Sequence, residues 1–472
     1  LLNTKNNIYY LNKEYEIQDY LIKSDIDWNI HFKSLEKITD FEKLFRKIIL
    51  NKVAPSDISM LYDNLQVVKN IYKTINKDNT LNNYLSFENL SKYLKILKDK
   101  IINTIDIKTA GFVSTCDFDT NIFKPNIYED LDKAEFDYLN ALQQLETIKQ
   151  FLISNIDDTR SKDTVKVHET DKSGLFLMAT KTRFKKLMNN LKNKSLQNQN
   201  KYILNYSINN VELIINLDLQ ADPLKEAIAN GNNIRINSHL LNNIYSKISQ
   251  TKSNLREILM SKYRKYIETF LENKQHFEVI INFVTKLDFL LTRCFISIKY
   301  NYCKPVIQHH TQSFLNAKNI RHPLIERIQE NEIYVPNDVS LGLDDSHTGI
   351  MLFGTNAVGK SSLIRSIGMS VVLAQAGFFV PCSEFIYNPY NGIFTRILGN
   401  DDIFKGLSTF AVEMSELNCI LNNADKNSLI LGDELCNGTE ISSALCIFSA
   451  GLIMLHERNS SFIFATHFHE LI

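Results

Sequence analysis

Gly354-Thr355-Asn356-Ala357-Val358-Gly359-Lys360-Ser361-Ser362 is the stretch on which the fold turns. Before it, Ile350-Met-Leu-Phe353 is a short apolar run bounded by glycines and reads as a buried strand. After it, Leu363 to Ala374 contains no glycine but Gly368 and reads as a helix. A glycine-rich loop in that position lets successive N–H groups converge on phosphate oxygens, and the helix adds its positive N-terminal end. There Lys360 can reach the β- and γ-phosphates, and the Ser361 hydroxyl can ligate Mg²⁺.

Two more strand ends follow at the spacing such a site needs. Ser428-Leu-Ile-Leu-Gly-Asp433-Glu434 is an apolar strand ending in two carboxylates, Asp433 to help hold Mg²⁺ and Glu434 to orient and deprotonate the attacking water. Ser461-Phe-Ile-Phe-Ala-Thr466 ends in His467, placed to sense the γ-phosphate. Taken singly, an Asp-Glu pair after a strand is more often a helix cap or a solvated edge. Three strand-end features in P-loop order favour a nucleotide site, with ATP and Mg²⁺ as the expected cofactors.

The rest of the composition bounds the alternatives. A chain of 472 residues has room for about three domains with their own cores. Basic and acidic residues both total 53, but from Gly349 onward the count is 6 against 11, which leaves 47 against 42 before it. The basic excess therefore lies outside the nucleotide region. Seven scattered cysteines with no Cys-x-x-Cys pair argue against a disulfide framework and for a reducing interior. No run of eighteen apolar residues and no signal peptide appears, so the expected setting is soluble, intracellular and without a membrane. The abundance of Asn, Ile and Lys points to an AT-rich genome, as in large DNA viruses and organelles. His309-His310 lacks acidic or cysteine company and is read as no metal site.

Taken from its start, the chain begins with helices joined by short turns, to about residue 125. Leu35 to Ile48 and Pro55 to Val68 carry apolar residues three or four apart, and Pro55 opens a helix. A longer helix is expected over roughly Ile127 to Ile153, with Leu131, Tyr138, Leu142, Leu145, Ile148 and Leu152 on one stripe. Strand-like stretches follow at Thr164–Glu169, Leu175–Ala179, Tyr202–Tyr206 and Val211–Ile215. From Ser238 to about Tyr300 there is no Gly or Pro, enough for about 90 Å of helix if unbroken, with a candidate break at Asn273-Lys-Gln-His276. From Lys172 to Val211 there are eight basic residues and no acidic one. Such a run is usually a solvated face, but on a β-rich tip between two long helices it suits contact with a phosphate backbone, with no base readout implied. Lys181, Arg183, Lys185, Lys186, Lys192 and Lys194 are the candidate DNA contacts.

One family brings these pieces together. Asn400-Asp-Asp-Ile-Phe-Lys-Gly-Leu-Ser408-Thr409-Phe410-Ala-Val-Glu413-Met414 resembles the signature segment of the MutS family of DNA mismatch-repair ATPases. The phosphate loop with Asn356, Leu373-Ala-Gln375-Ala-Gly-Phe-Phe-Val-Pro381 and Phe464-Ala-Thr-His467-Phe-His-Glu-Leu471 also match that family in order and spacing. The resemblance implies a multidomain protein: an all-α core and lever helices with an inserted small β-rich clamp, followed by an α/β P-loop ATPase domain of ABC type. The expected boundaries are 1–160 for the core and first lever helix, 161–237 for the clamp insertion, 238–304 for the returning lever helix and 305–472 for the ATPase domain. It further implies that Tyr334 stacks on adenine, that Gln375 belongs to the ATP site, and that Ser408 and Thr409 complete the nucleotide site of a second subunit. Double-stranded DNA, a homo- or heterodimeric partner and downstream repair proteins are the expected partners.

Departures from the family pattern qualify these expectations. Val358 stands where the family usually has Gly, Leu407 where it has a basic residue, and Asn437-Gly438-Thr439-Glu440 where it has Arg-Gly-Thr-Ser. The implied hydrolysis is retained but slower or differently gated. The chain starts at Leu1 and is read as a fragment, with the family's mismatch-reading domain expected before it. The leading expectation is an ATP-hydrolysing protein that clamps DNA in mismatch repair. Its rivals are a MutS-like protein that binds branched or recombination DNA, and a non-catalytic DNA tether that uses ATP as a conformational ligand.

Overall fold

The computed structural model describes residues 7–24, 28–156, 164–170, 174–198, 201–208, 211–230, 232–328, 333–343, 348–355, 358–397, 409–433, 440–468 and 470. It is a mixed helix-and-sheet chain that divides into two compact units, one of residues 36–72 and 87–282, the other of residues 1–35, 73–86 and 283–472.

In the first of these units, helices Phe41–Ile49, Pro55–Ile75 and Leu90–Ile102 lead to two long ones, Glu129–Ser154 and His239–Glu268. Asp40 starts the first by accepting from Lys43 N at 2.9 Å, and Pro55 opens the second, where its missing N–H costs nothing. On Glu129–Ser154, Leu131, Leu145, Ile148 and Leu152 are buried as the stripe predicted, while Tyr138 and Leu142 are half-buried. The chain between the long helices forms β1 (Lys166–Thr170), β2 (Gly174–Thr180), β3 (Lys201–Ile208), β4 (Val211–Asp218), β5 (Lys225–Asn230) and β6 (Asn233–Asn237). These make an antiparallel sheet in the order β1-β2-β6-β5 and a separate β3-β4 ribbon.

One element of this region departs from the expectation of a β-rich tip. Lys181–Asn198 is an 18-residue helix. Thr180 Oγ1 accepts from Arg183 N at 3.3 Å at its start. Phe184, Leu187 and Leu191, three and four residues apart, are buried in the same core as Phe176, Leu177, Ile244 and Ile248. The basic run thus rides on an amphipathic helix.

The break between the long helices also has a cause. The ladder ends at Thr269, a 3₁₀ turn spans Leu271–Asn273, and the next helix runs Lys274–Tyr300. Asn273 N donates to Phe270 O at 3.0 Å, an i−3 bond, which leaves Thr269 O without its i+4 donor. Lys100 Nζ takes that carbonyl at 2.7 Å and Asn273 Oδ1 at 2.8 Å. The break therefore falls at Leu271–Asn273, at the near end of the expected segment.

The other unit opens with the Ile8–Lys23 helix and holds the remaining strands: β7 (Val306–Ile307), β8 (Phe314–Ile320), β9 (Asn337–Leu341), β10 (Gly349–Phe353), β11 (Glu384–Asn388), β12 (Gly392–Arg396), β13 (Ser428–Asp433) and β14 (Ser461–Thr466). Four of them form an all-parallel sheet in the order β10-β14-β13-β12, the other four a mixed sheet β7-β11-β8-β9. Side chains of the parallel strands alternate between two cores. Leu429, Leu431, Ile463 and Ala465 pack with Ile364, Ile367 and Val371 of the Lys360–Gln375 helix and with Leu315, Val339 and Phe385 of the mixed sheet. Ile430, Phe462 and Phe464 point the other way, against Ile420 of the Thr409–Asn423 helix and Phe448 and Leu455 of the Ile441–Glu457 helix. A sheet covered on both faces explains why its strands read as continuous apolar runs.

Candidate nucleotide site

Register aligns three strand ends at one edge of the parallel sheet. Phe353 pairs with Thr466 and Asp433 with Ala465, so the loop after β10, the Asp433 carboxylate and the residues after Thr466 leave the sheet side by side. Ligands of open parallel sheets bind at this carboxyl edge.

The loop residues are arranged for an anion. Gly359 has φ +96°, a left-handed conformation that L side chains avoid, and a Cβ there would meet nothing within 4 Å, so the constraint is on backbone torsion alone. It precedes the Lys360–Gln375 helix, whose first turn has no side-chain cap. Among the described residues none takes the N–H groups of Lys360, Ser361 and Ser362, which suits a ligand there. Lys360 Nζ folds back over the loop, donating to Gly354 O at 2.7 Å and Thr355 O at 3.0 Å. Ser361 and Ser362 are half-buried in the first turn, and Val358 is 61 % exposed at the mouth. Asn356 and Ala357 lie outside the described residues.

Asp433 is half-buried, and its Oδ1 is buried with no hydrogen-bond partner among the described residues. A carboxylate oxygen without such a partner, at the same sheet edge as the Gly354–Ser362 loop, is the donor a hard cation takes, so the residues present fit Mg²⁺. His467, two residues beyond Ala465, which pairs with Asp433, is half-buried. Glu434 and Ser408 lie outside the described residues. Thr409 begins the Thr409–Asn423 helix, but its side chain is not among those described.

Tyr334 is half-buried, and burial pushes its phenol up, partly offset by Ser366 of the loop helix and the His322 main chain against its hydroxyl. His322 Nδ1 in turn accepts from Leu324 N at 3.3 Å and Ile325 N at 3.2 Å. Burial, then the Arg365 charge, hold the His322 imidazole below its ordinary range, as an accepting Nδ1 requires. Sequence reading passed over His322 and Ser366 as supports of the ring.

Gln375 corrects an expectation. It is the last residue of the helix that Lys360 begins, about 22 Å away along the axis. Its Nε2 donates to Tyr390 O at 2.8 Å and its Oε1 accepts from Tyr390 N at 3.0 Å, with the side chain buried. The helix separates it from the Gly354–Ser362 loop and its amide is committed to the Tyr390 backbone, so it is a structural tie rather than a residue of that loop's site.

A second support was also missed. Arg396, buried at the end of β12, bonds Glu413 Oε1 at 3.3 Å and Glu416 Oε2 at 2.9 Å, pinning the Thr409–Asn423 helix to the same sheet edge.

Away from this site, Lys181, Lys185, Lys186 and Lys192 are exposed on the face of their helix opposite Phe184, Leu187 and Leu191, with Arg183 half-buried at its margin. The Lys194 side chain lies outside the described residues. No helix among the described residues is long and apolar enough to cross a membrane.

Comparison with known proteins supplies the family. Residues 350–472 match the profile of MutS domain V. The chain is 30 % identical, over 97 % of its length, to a putative DNA mismatch repair protein mutS homolog of Acanthamoeba polyphaga mimivirus. It is 33 % identical over 70 % of its length to a mitochondrial DNA mismatch repair protein mutS homolog of Sarcophyton glaucum, and 27 % identical over 98 % to DNA mismatch repair protein MutS of Petrotoga mobilis. It spans 44 %, 32 % and 50 % of those three relatives. With similarity running through both compact units and a domain V match over the strand ends that carry the site, this chain belongs to the MutS family.

Proposed function

We propose that this chain is the core and ATPase portion of a DNA mismatch-repair protein that holds duplex DNA in a clamp and couples ATP binding and hydrolysis to the state of that clamp. The observation that carries the reading is the gathering of the uncapped loop helix, the orphaned Asp433 Oδ1 and His467 at one edge of a parallel sheet. In it, the loop N–H groups and Lys360 bind the phosphates of ATP, Ser361 and Asp433 hold the cation, Tyr334 supports the adenine, and Glu434 takes the proton of the attacking water. Bound Mg²⁺ neutralises charge that develops on the phosphates. His467 positions the γ-phosphate, and Ser408 with Thr409 completes the site of a second subunit. The relatives' names support mismatch repair as the setting.

The basic face of Lys181–Asn198 is the proposed DNA contact within the clamp. The test is equilibrium binding of the full-length protein to matched duplex, single-mismatch duplex and a four-way junction, with and without ATP, at several salt concentrations. Mismatch preference that ATP changes is the expected result; junction preference without mismatch discrimination sinks the repair assignment. Neutralising Lys181, Lys185, Lys186 and Lys192 together is expected to weaken all DNA alike and flatten the salt slope by about 3 to 4. An unaltered slope removes that helix from the interface.

A further inference from the structure

Arg293, in the second half of the Lys274–Tyr300 helix, is 0 % exposed. Its guanidinium is shared among three segments. Nη2 lies 2.7 Å from Glu14 Oε2 and donates to Tyr84 Oη at 3.2 Å, while the Tyr84 hydroxyl donates to the same Glu14 oxygen at 2.7 Å. Nη1 donates to Gly377 O at 2.9 Å. The rings of Phe289 and Phe378 flank the group at 4.9 and 6.0 Å. Next to Glu14, the Tyr15 hydroxyl donates to Ala374 O at 2.6 Å and meets the Tyr387 hydroxyl at 2.8 Å.

Ala374 and Gly377 are the end of the helix that Lys360 begins. Gly377 N bonds Ala374 O at 2.8 Å and Phe378 N bonds Leu373 O at 3.0 Å, a Schellman ending with Gly377 at φ +82°. A Cβ at Gly377 would sit 3.0 Å from both Arg293 Nη1 and Glu14 Cβ, so the approach of the clasp to the helix end depends on this glycine. One stiff helix therefore has the phosphate loop at one end and the Arg293 clasp at the other.

Mere packing does not call for such a clasp. A buried ion pair holds two helices no better than apolar side chains of the same volume. This one is also incompletely satisfied: Arg293 Nε is buried with no partner among the described residues, and so is Oε1 of Gln18, whose Nε2 donates to Arg293 O at 3.3 Å and to Ser297 Oγ at 2.7 Å. A network with a spare donor and a spare acceptor can pair in a second way when one of its members shifts.

We propose that Glu14, Arg293 and Tyr84 form a positioning clasp through which the nucleotide state of the Gly354–Ser362 loop is passed, along the Lys360–Gln375 helix, to the Lys274–Tyr300 helix. The proposal rests on the reading of that loop as the nucleotide site. Lys274–Tyr300 is a fitting receiver because its first turns, to Asn282, belong to the other compact unit. The coupling is reciprocal: what fixes the position of Arg293 also changes affinity at the loop.

The test is hydrogen–deuterium exchange of residues 283–300 in the full chain, with and without a non-hydrolysable ATP analogue, beside a titration of the same analogue. Arg293→Met with Glu14→Gln removes the pair without leaving a lone buried charge, and Tyr84→Phe removes from the clasp the single hydroxyl that donates to Glu14 and accepts from Arg293. In the unaltered protein the analogue is expected to change exchange in 283–300 about fivefold or more. In both variants that response drops below about twofold while the dissociation constant of the analogue stays within about threefold. Variants that bind the analogue and keep the full response overturn the proposal, as does an unaltered protein that binds it with no response in 283–300. If the double variant does not fold, Tyr84→Phe decides alone. Failure of the unaltered protein to bind the analogue overturns the nucleotide reading itself, and the titration registers that separately.

Discussion

The Lys360–Gln375 helix treats its two ends differently. An α-helix leaves four donors unpaired at its start and four acceptors at its finish. At the finish, Gly377 and Phe378 N–H close a Schellman turn, Tyr15 caps Ala374 O, Arg293 binds Gly377 O, and Gln375 ties down Tyr390. At the start there is Gly359 and no side-chain cap, with Lys360 curled over its own loop. Among the described residues, then, one end is tied down and the other is left uncapped, as a ligand-binding end would be. Uncapped donors and a folded-back cation suit a ligand end, and the partners of Leu373 O, Ala374 O and Gly377 O suit an anchoring end.

The sharpest way to break this contrast is Lys360→Ala. Removing the one point charge on the phosphates is expected to weaken ATP binding by a factor on the order of 100 or more, read by calorimetric titration. The thermal midpoint of the nucleotide-free protein should barely move, because among the described residues the Lys360 ammonium bonds only Gly354 O and Thr355 O of its own loop. An intact affinity would mean that the bare end is not the phosphate end.

The same helix shows what a sequence can and cannot disclose. Its start was legible because glycine spacing, an apolar strand before and a helical run after are local facts. β13 and β14 were legible for the same reason, being runs buried on both faces. Gln375 was placed at the ATP site through the family resemblance, although the helix read over Leu363 to Ala374 already set it a helix length from the loop. The Lys181–Asn198 helix was overlooked because its charge drew the reading away from Phe184, Leu187 and Leu191, whose spacing was there to see. The partners of Arg293 and Thr269 were beyond reach: Glu14 and Lys100 stand 279 and 169 residues away, and no local pattern links them.

Gln375→Ala tests the anchoring end. It leaves Tyr390 N and O buried without their partner, at a cost of about 3 kcal/mol in unfolding free energy by denaturant titration. ATP affinity is expected to stay within about twofold, since the change lies about 22 Å from the loop. A large loss of affinity with little loss of stability would restore Gln375 to the site.

The smallest expected effect lies beside the bare end, where Tyr334 rests on Ser366 and the His322 main chain. His322 Nδ1 accepts two backbone N–H groups and cannot do so once protonated. Its folded pKa is depressed below the ordinary value near 6.5, first by burial and then by Arg365. A depressed pKa contributes stability that is present above that value and lost as pH falls through the lower folded one. Between pH 7 and pH 5.5 the turn under Tyr334 is therefore expected to loosen, and ATP affinity to fall about two- to fivefold more than that of inorganic triphosphate, which has no base to lose. His322→Asn offers an acceptor that does not titrate, so it should hold the affinity for ATP near its neutral-pH value and erase the difference between the two ligands. If ATP and triphosphate weaken in parallel, the pH dependence belongs to the phosphates and the loop, and Tyr334 has no part in binding the base.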